Sequence, residues 1–169
     1  LGQHPQCYGL PELNLFVADD LAGVWRWAER IMPHGRDGLL RVLAELTEGT
    51  QSEAAVDRAT EWVMRHGAWS PRQVLVHIQE MVGDKRLVEK SPSTVLNPDG
   101  LRRLAAAFPQ ADFLHLVRHP TTTCRSMVSL LARGPDLGGR AHAQVVEPAR
   151  IWLEAHTRIL EFAQRLPLG

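Results

Sequence analysis

The sequence predicts an α/β fold, in which parallel strands alternate with helices and a block of helices occupies residues 20–82. Three observations predict it. Residues 84–131 alternate short apolar runs with helix-start signals, a strand–helix–strand–helix rhythm. That rhythm implies a parallel pair joined by a right-handed crossover. Residues 20–82 instead carry apolar residues at helical spacing, punctuated by glycines and capping residues. Third, each strand-like run ends on a cation. Leu87-Val88-Glu89 runs into Lys90-Ser91-Pro92, and Phe113-Leu114-His115-Leu116-Val117 runs into Arg118-His119-Pro120. Cations at the carboxyl ends of parallel strands, with helices following, describe a pocket for an anionic ligand.

The elements follow in chain order. Residues 1–19 are punctuated by proline and glycine, with a short strand near Cys7-Tyr8 leading into Pro11-Glu12. Residues 20–82 read as about four helices. Asp20 caps the first, with Leu21, Val24, Trp25 and Ala28 on one face. Gly35 and Gly38 precede the second, which carries Leu39, Leu40, Leu43 and Leu46 and ends at Gly49. Ser52 caps a third, with Val56, Ala59 and Val63. Ser70-Pro71 starts a fourth, because the hydroxyl caps and the proline sits where its missing N–H costs nothing. Its stripe is Val74, Leu75, Ile78, Met81 and Val82, and Gly83 stops it. A strand over 86–89 comes next, then a helix begun by Asn97-Pro98 and carrying Leu101, Leu104, Ala105 and Phe108. Pro109 closes that helix before a strand over 112–117. Pro120 opens a helix with Cys124, Met127, Val128 and Leu131 inward. Residues 134–142 read as a glycine-rich loop. A last helix over 147–165 faces inward through Trp152, Ala155, Ile159 and Phe162.

Composition narrows the function classes. The chain has 169 residues, of which 44% are hydrophobic, enough for the core of one domain. Nineteen cationic and nineteen anionic side chains cancel, so no overall basic field exists to hold nucleic acid. An anion must be held by local groups. The two cysteines, Cys7 and Cys124, form no CxxC pair, which suits a reducing compartment. No apolar run reaches the length of a membrane span, and the expectation is a soluble cytoplasmic protein. Leu1 in place of a methionine, and an end at Gly169 after a helical stretch, read as a segment of a larger protein.

Four side chains are candidates for chemistry. A guanidinium just after a strand, such as Arg118, can clamp two phosphate oxygens. Ser126 lies eight residues on, on a polar stripe with Thr122, Ser129 and Arg133. Lys90 is a compact charge suited to a developing negative oxygen, or else a solvated loop lysine. Glu12, in Gly9-Leu10-Pro11-Glu12-Leu13, reads as a general base or as a surface carboxylate. Eight histidines form neither HExxH nor a Cys/His cluster, so no metal site is assigned. His77 and His156 read as packing or surface residues, with His156 a reserve base. The absence of GxxxxGK[ST] and GxGxxG weakens kinase, ATPase and dehydrogenase readings.

The segments Leu87 to Pro92, Ala107 to Pro120 and Arg125-Ser126-Met127 together resemble the sulfotransferases that use 3′-phosphoadenosine-5′-phosphosulfate (PAPS). The 3′-phosphate motif of that family places an arginine at a strand end and a serine eight residues on, matching Arg118 and Ser126. The opening from His4-Pro5 to Pro11-Glu12-Leu13 is similar to the segment after the family's first helix. By resemblance to the tyrosylprotein type, Glu12 is the base and Lys90 contacts the transferring sulfuryl group. The last helix, with His156, resembles the bacterial branch that includes polyketide-synthase sulfotransferase domains.

The resemblance implies a three-layer α/β parallel sheet related to the P-loop nucleotide kinases. Residues 1–169 would form one partial domain, with residues 20–82 as a helical cap that shapes the acceptor pocket. Trp25, Trp27, Trp62 and Trp69 suggest an acceptor with an apolar body, or simply core. The implied reaction moves a sulfuryl group from PAPS to a hydroxyl on a small or carrier-bound acceptor, releasing adenosine 3′,5′-bisphosphate (PAP). The family's 5′-phosphosulfate loop is missing and would lie before Leu1. The basic segment completing the 3′-phosphate site would follow Gly169. This segment alone is therefore expected to be inactive, with an unpaired sheet edge. The rival readings are another P-loop-type nucleotide-dependent transferase, such as a kinase, and a non-catalytic binding module.

Overall fold

A three-residue strand, β1 (Cys7–Gly9), pairs in parallel with β2 (Arg86–Val88). The register sets Cys7 against Arg86, Tyr8 against Leu87 and Gly9 against Val88. Two backbone bonds carry the pairing past the ends: Arg86 N–H to Gln6 O at 2.8 Å, and Leu10 N–H to Val88 O at 2.8 Å. Both strands therefore end at the same edge, and the residues after Gly9 and after Val88 emerge side by side. The structure, a computed structural model, describes residues 2–131 and 143–166. It divides into two units, Leu1–Ala111 and Asp112–Gly169.

In the first unit four helices lie between the paired strands. They are α1 (Leu21–Ile31), α2 (Asp37–Glu48), α3 (Glu53–Arg65) and α4 (Pro71–Val82). Their starts follow the capping chemistry of the sequence. Asp20 accepts the Gly23 N–H at 2.6 Å, and Ser52 accepts the Ala55 N–H at 3.3 Å. Ser70 and Gln73 form a reciprocal capping box on α4, with Pro71 at its first position. Gly49 ends α2 with φ 66°, a left-handed conformation costly for residues with a Cβ. Ser70→Ala should cost about 1 kcal/mol of stability, read by urea unfolding.

The apolar stripes converge on one core. Leu21 of α1 joins Leu39, Leu40 and Leu43 of α2, Val63 of α3, and Val74 and Ile78 of α4 in one cluster, and Val24 and Ala28 of α1 are buried too. The core's largest fully buried side chain, Phe16, comes from a 3-10 turn at Leu15–Val17, too short to carry a helical period. A second such turn, Pro33–Arg36, leads into α2.

Downstream of β2 the boundaries differ from expectation. Ser91-Pro92 starts a short helix, α5 (Pro92–Leu96), and α6 runs Gly100–Ala107. Asn97 does not cap α6. Its Oδ1 instead accepts the Asp99 N–H at 3.0 Å, and its Nδ2 donates to Val17 O at 3.2 Å. Those bonds make Asn97 a tie between the α5–α6 turn and the 3-10 turn, and the helix starts later. Arg103 of α6 strengthens the tie through Asp19 Oδ1 at 2.6 Å and Phe16 O at 3.4 Å.

The second unit contains α7 (Pro120–Leu131) and α8 (Ala143–Ala163). The expected strand over 112–117 is not a strand: among the described residues it has no ladder partner, and the parallel pair is β1–β2 instead. Leu114, Leu116 and Val117 are correspondingly exposed. Apolar, β-favouring composition makes a segment ready to pair, but only a neighbouring strand makes it a strand. Helix α8 begins a turn before Pro148, although proline near a helix start is the ordinary boundary signal. The expected loop over 134–142 lies outside the described residues.

Candidate active site

The parallel register explains how residues far apart in sequence meet. Glu12 is three residues past the end of β1, and Lys90 is two past the end of β2. Lys90 Nζ donates to Glu12 Oε1, closing an ion pair across the strand ends. The Lys90 side chain is 70% exposed and that of Glu12 44%, so both can reach a ligand. An exposed pair of this kind is worth little by itself and separates easily.

The loop bearing Glu12 is held from three sides. Leu13 N–H donates to Glu89 Oε1 at 3.3 Å, and Asn14 N–H donates to Ser91 Oγ at 2.9 Å. Asn14 adopts φ 54°, ψ 27°, a left-handed conformation that asparagine tolerates. Its buried amide donates to Gly35 O at 2.7 Å and accepts the Ser93 hydroxyl at 2.5 Å. The third side is α2: a Cβ on Gly38 would sit 2.2 Å from Glu12 O. An open cleft of about 360 Å³ lies beside Glu12, lined also by Met32, His34, Asp37 and Arg41.

Glu89, Ser91 and Asn14 were assigned no role from the sequence. Their signals were present: a carboxylate closing an apolar strand, a serine before proline, and a lone amide between Leu13 and Leu15. Each has a common structural explanation, and only the register shows them joined. Burial pushes the Glu89 carboxyl above the usual carboxylate range. Hydrogen bonds from Ser91 and Leu13 oppose that shift, Glu12 adds to it, and Lys90 opposes it.

In the second unit Arg118 and Ser126 are both exposed, Arg118 just before α7 and Ser126 on its second turn. Thr122 and Ser129 are exposed on the same helix, as a polar stripe requires. The Trp152 indole N–H donates to Arg118 O at 3.3 Å. His156 is no isolated base. Its Nδ1 lies 2.7 Å from His115 Nε2, one ring donating to the other, and the Trp152 ring packs 4.3 Å from its centroid. Burial, and then the charge on His115, push the His156 imidazole below its ordinary value.

Of the four tryptophans read as acceptor-facing or core, Trp62 and Trp69 pack with His66 and His77. Trp25 donates to Glu29 Oε1 at 2.9 Å, beneath the Arg36 guanidinium. No helix among the described residues is long and apolar enough to cross a membrane.

The sequence matches the model of the "Sulfotransferase family" over residues 1–169. The chain belongs to that family. A solved structure titled "Sulfotransferase Domain from the Synechococcus PCC 7002 Olefin Synthase" superposes with TM-score 0.77 at 26% identity, covering 97% of this chain and 55% of that one. A second, the "Sulfotransferase Domain from the Curacin Biosynthetic Pathway", gives TM-score 0.73 at 21% identity, covering 98% and 56%. The chain thus spans about half the length of these structures. No match is found among curated proteins. The fold is that of sulfotransferase domains, mostly helical around a small parallel sheet.

Proposed function

We propose that this sulfotransferase-family protein moves a sulfuryl group from PAPS to a hydroxyl acceptor, with Glu12 as base and Lys90 as electrostatic stabiliser. The observation that carries the reading is the pairing of Glu12 and Lys90 at the carboxyl ends of two parallel strands, where open α/β sheets bind ligands. Glu12 borders the cleft and can accept a proton from an acceptor hydroxyl lodged there. Lys90 offers a mobile, exposed ammonium where negative charge builds on the leaving oxygen. When bound, the nucleotide supplies the sulfuryl group.

Arg118 and Ser126 suit the nucleotide's 3′-phosphate: one offers a fork of donors, the other a hydroxyl, and both are solvent-accessible. The domain is read as one partial sulfotransferase domain related to P-loop nucleotide kinases, with residues 20–82 as its cap. The two solved neighbours come from biosynthetic systems, which favours a hydroxylated biosynthetic intermediate, free or carrier-bound, as acceptor.

The test is calorimetric titration of the intact protein with PAP. Removing one charge-assisted partner costs about 1.5–3 kcal/mol, so Arg118→Ala should weaken binding roughly ten- to a hundredfold. Unchanged affinity would remove Arg118 from the site. No binding by the wild type would leave a non-catalytic module as the better reading.

A further inference from the structure

Glu12 and Lys90 are held face to face by their neighbours. Glu89 and Ser91 flank Lys90, while Leu13 and Asn14 follow Glu12. Glu89 Oε1 accepts both the Leu13 N–H, at 3.3 Å, and the Ser91 hydroxyl. Ser91 Oγ, with its own proton committed to Glu89, accepts the Asn14 N–H at 2.9 Å. One carboxylate thus anchors two consecutive backbone amides of the opposite loop, the second through a serine that is 7% exposed.

We propose that Glu89 is a positioning residue: its carboxylate clamps the Glu12 loop to the Lys90 strand end, directly and through Ser91. This rests on Glu12 and Lys90 being the reacting groups. Geometry of this kind matters because a misplacement of about 1 Å can cost about a hundredfold in rate.

Ionised Glu89 is a costly choice for a merely structural part. Partial burial disfavours its charge, and the charged groups facing it are Glu12, which repels it, and Lys90, which attracts it. Its carboxyl is held above the usual range, so the folded state favours the protonated form. Glu89 therefore contributes stability below the ordinary carboxylate range, and that contribution is lost as pH rises through the raised value. The clamp runs the other way. A neutral carboxyl is a weaker acceptor than a carboxylate, so protonation loosens the loop. Acidification through this window lowers turnover while Glu89's own contribution to stability rises.

The experiment is Glu89→Gln in the intact protein. The amide keeps the size and an acceptor oxygen but cannot ionise. The turnover number should fall about tenfold, with KM for donor and acceptor within about twofold of wild type. The step in the acid limb of the turnover profile that belongs to Glu89 should vanish. The thermal midpoint at pH 7 should be equal or higher. Unchanged turnover with an unchanged acid limb overturns the proposal, as does a lowered midpoint with the acid limb intact.

A second arm needs no activity. The Leu13 and Asn14 amide proton resonances should titrate together in wild type, with a midpoint above the ordinary carboxylate range, and stay flat in the variant. Flat wild-type resonances overturn the clamp. Titrating resonances in a protein without sulfuryl transfer would overturn the functional reading and leave the clamp standing. Should Glu89→Gln not fold, Ser91→Ala carries the test, and full wild-type turnover in it overturns the proposal.

Discussion

Glu12→Gln will fold normally and lose about 10²–10⁴-fold in turnover, the range expected when a general base is removed. The side chain is about half exposed and pairs with Lys90, itself exposed, so its charge contributes little to stability. Gln preserves the length and can still accept from Lys90 Nζ, but it cannot take a proton from an alcohol. PAP affinity should stay within about twofold, because the loss falls on the reacting step and not on ground-state nucleotide binding. Steady-state kinetics with matched PAP calorimetry checks both halves. A variant with normal turnover would show that the base is elsewhere, and His156 would be examined next, although its ring is engaged with His115.

Gly38→Ala will cost about 3 kcal/mol of stability, the upper end for overpacking a filled site. The new Cβ would sit 2.2 Å from Glu12 O and 2.9 Å from Glu12 C. Both contacts are backbone, so no flexible side chain can swing away. Either α2 retreats from the core or the Glu12 loop moves off the Lys90 strand end. The melting temperature should fall by ~10 °C for a chain of this size. Residual activity should fall further than the folded fraction does, because the displaced segment carries Glu12, the proposed base. Gly67→Ala is the control, since its Cβ would meet nothing nearer than 3.5 Å. Equal melting temperatures for the two variants would show that the Gly38 contact is not needed.

Much of the first unit was legible because its signals are local. Asp20, Ser52 and Ser70 each satisfy an amide three residues away, and Gly49 and Gly83 end helices through their own φ. The 3-10 turns and α5 were missed because short turns lack a period to read. Glu12 and Lys90 were named as candidates, but their contact spans 78 positions and depends on strand register. Glu89 closes an apolar run like any strand-end residue, and its bond to the Leu13 amide spans 76 positions.

The sequence by itself determined helices α1 to α4, the caps at Asp20, Ser52 and Ser70, and the family, because capping, periodicity and motif spacing act over a few residues. Tertiary structure decided which strands pair. It put β1 beside β2 and gave 112–117 no partner among the described residues, since a ladder forms only where another backbone offers its amides and carbonyls. It also decided that a carboxylate, an ammonium and a half-buried clamp share one end of the strand pair, because parallel register alone brings residues 12–14 to residues 89–91.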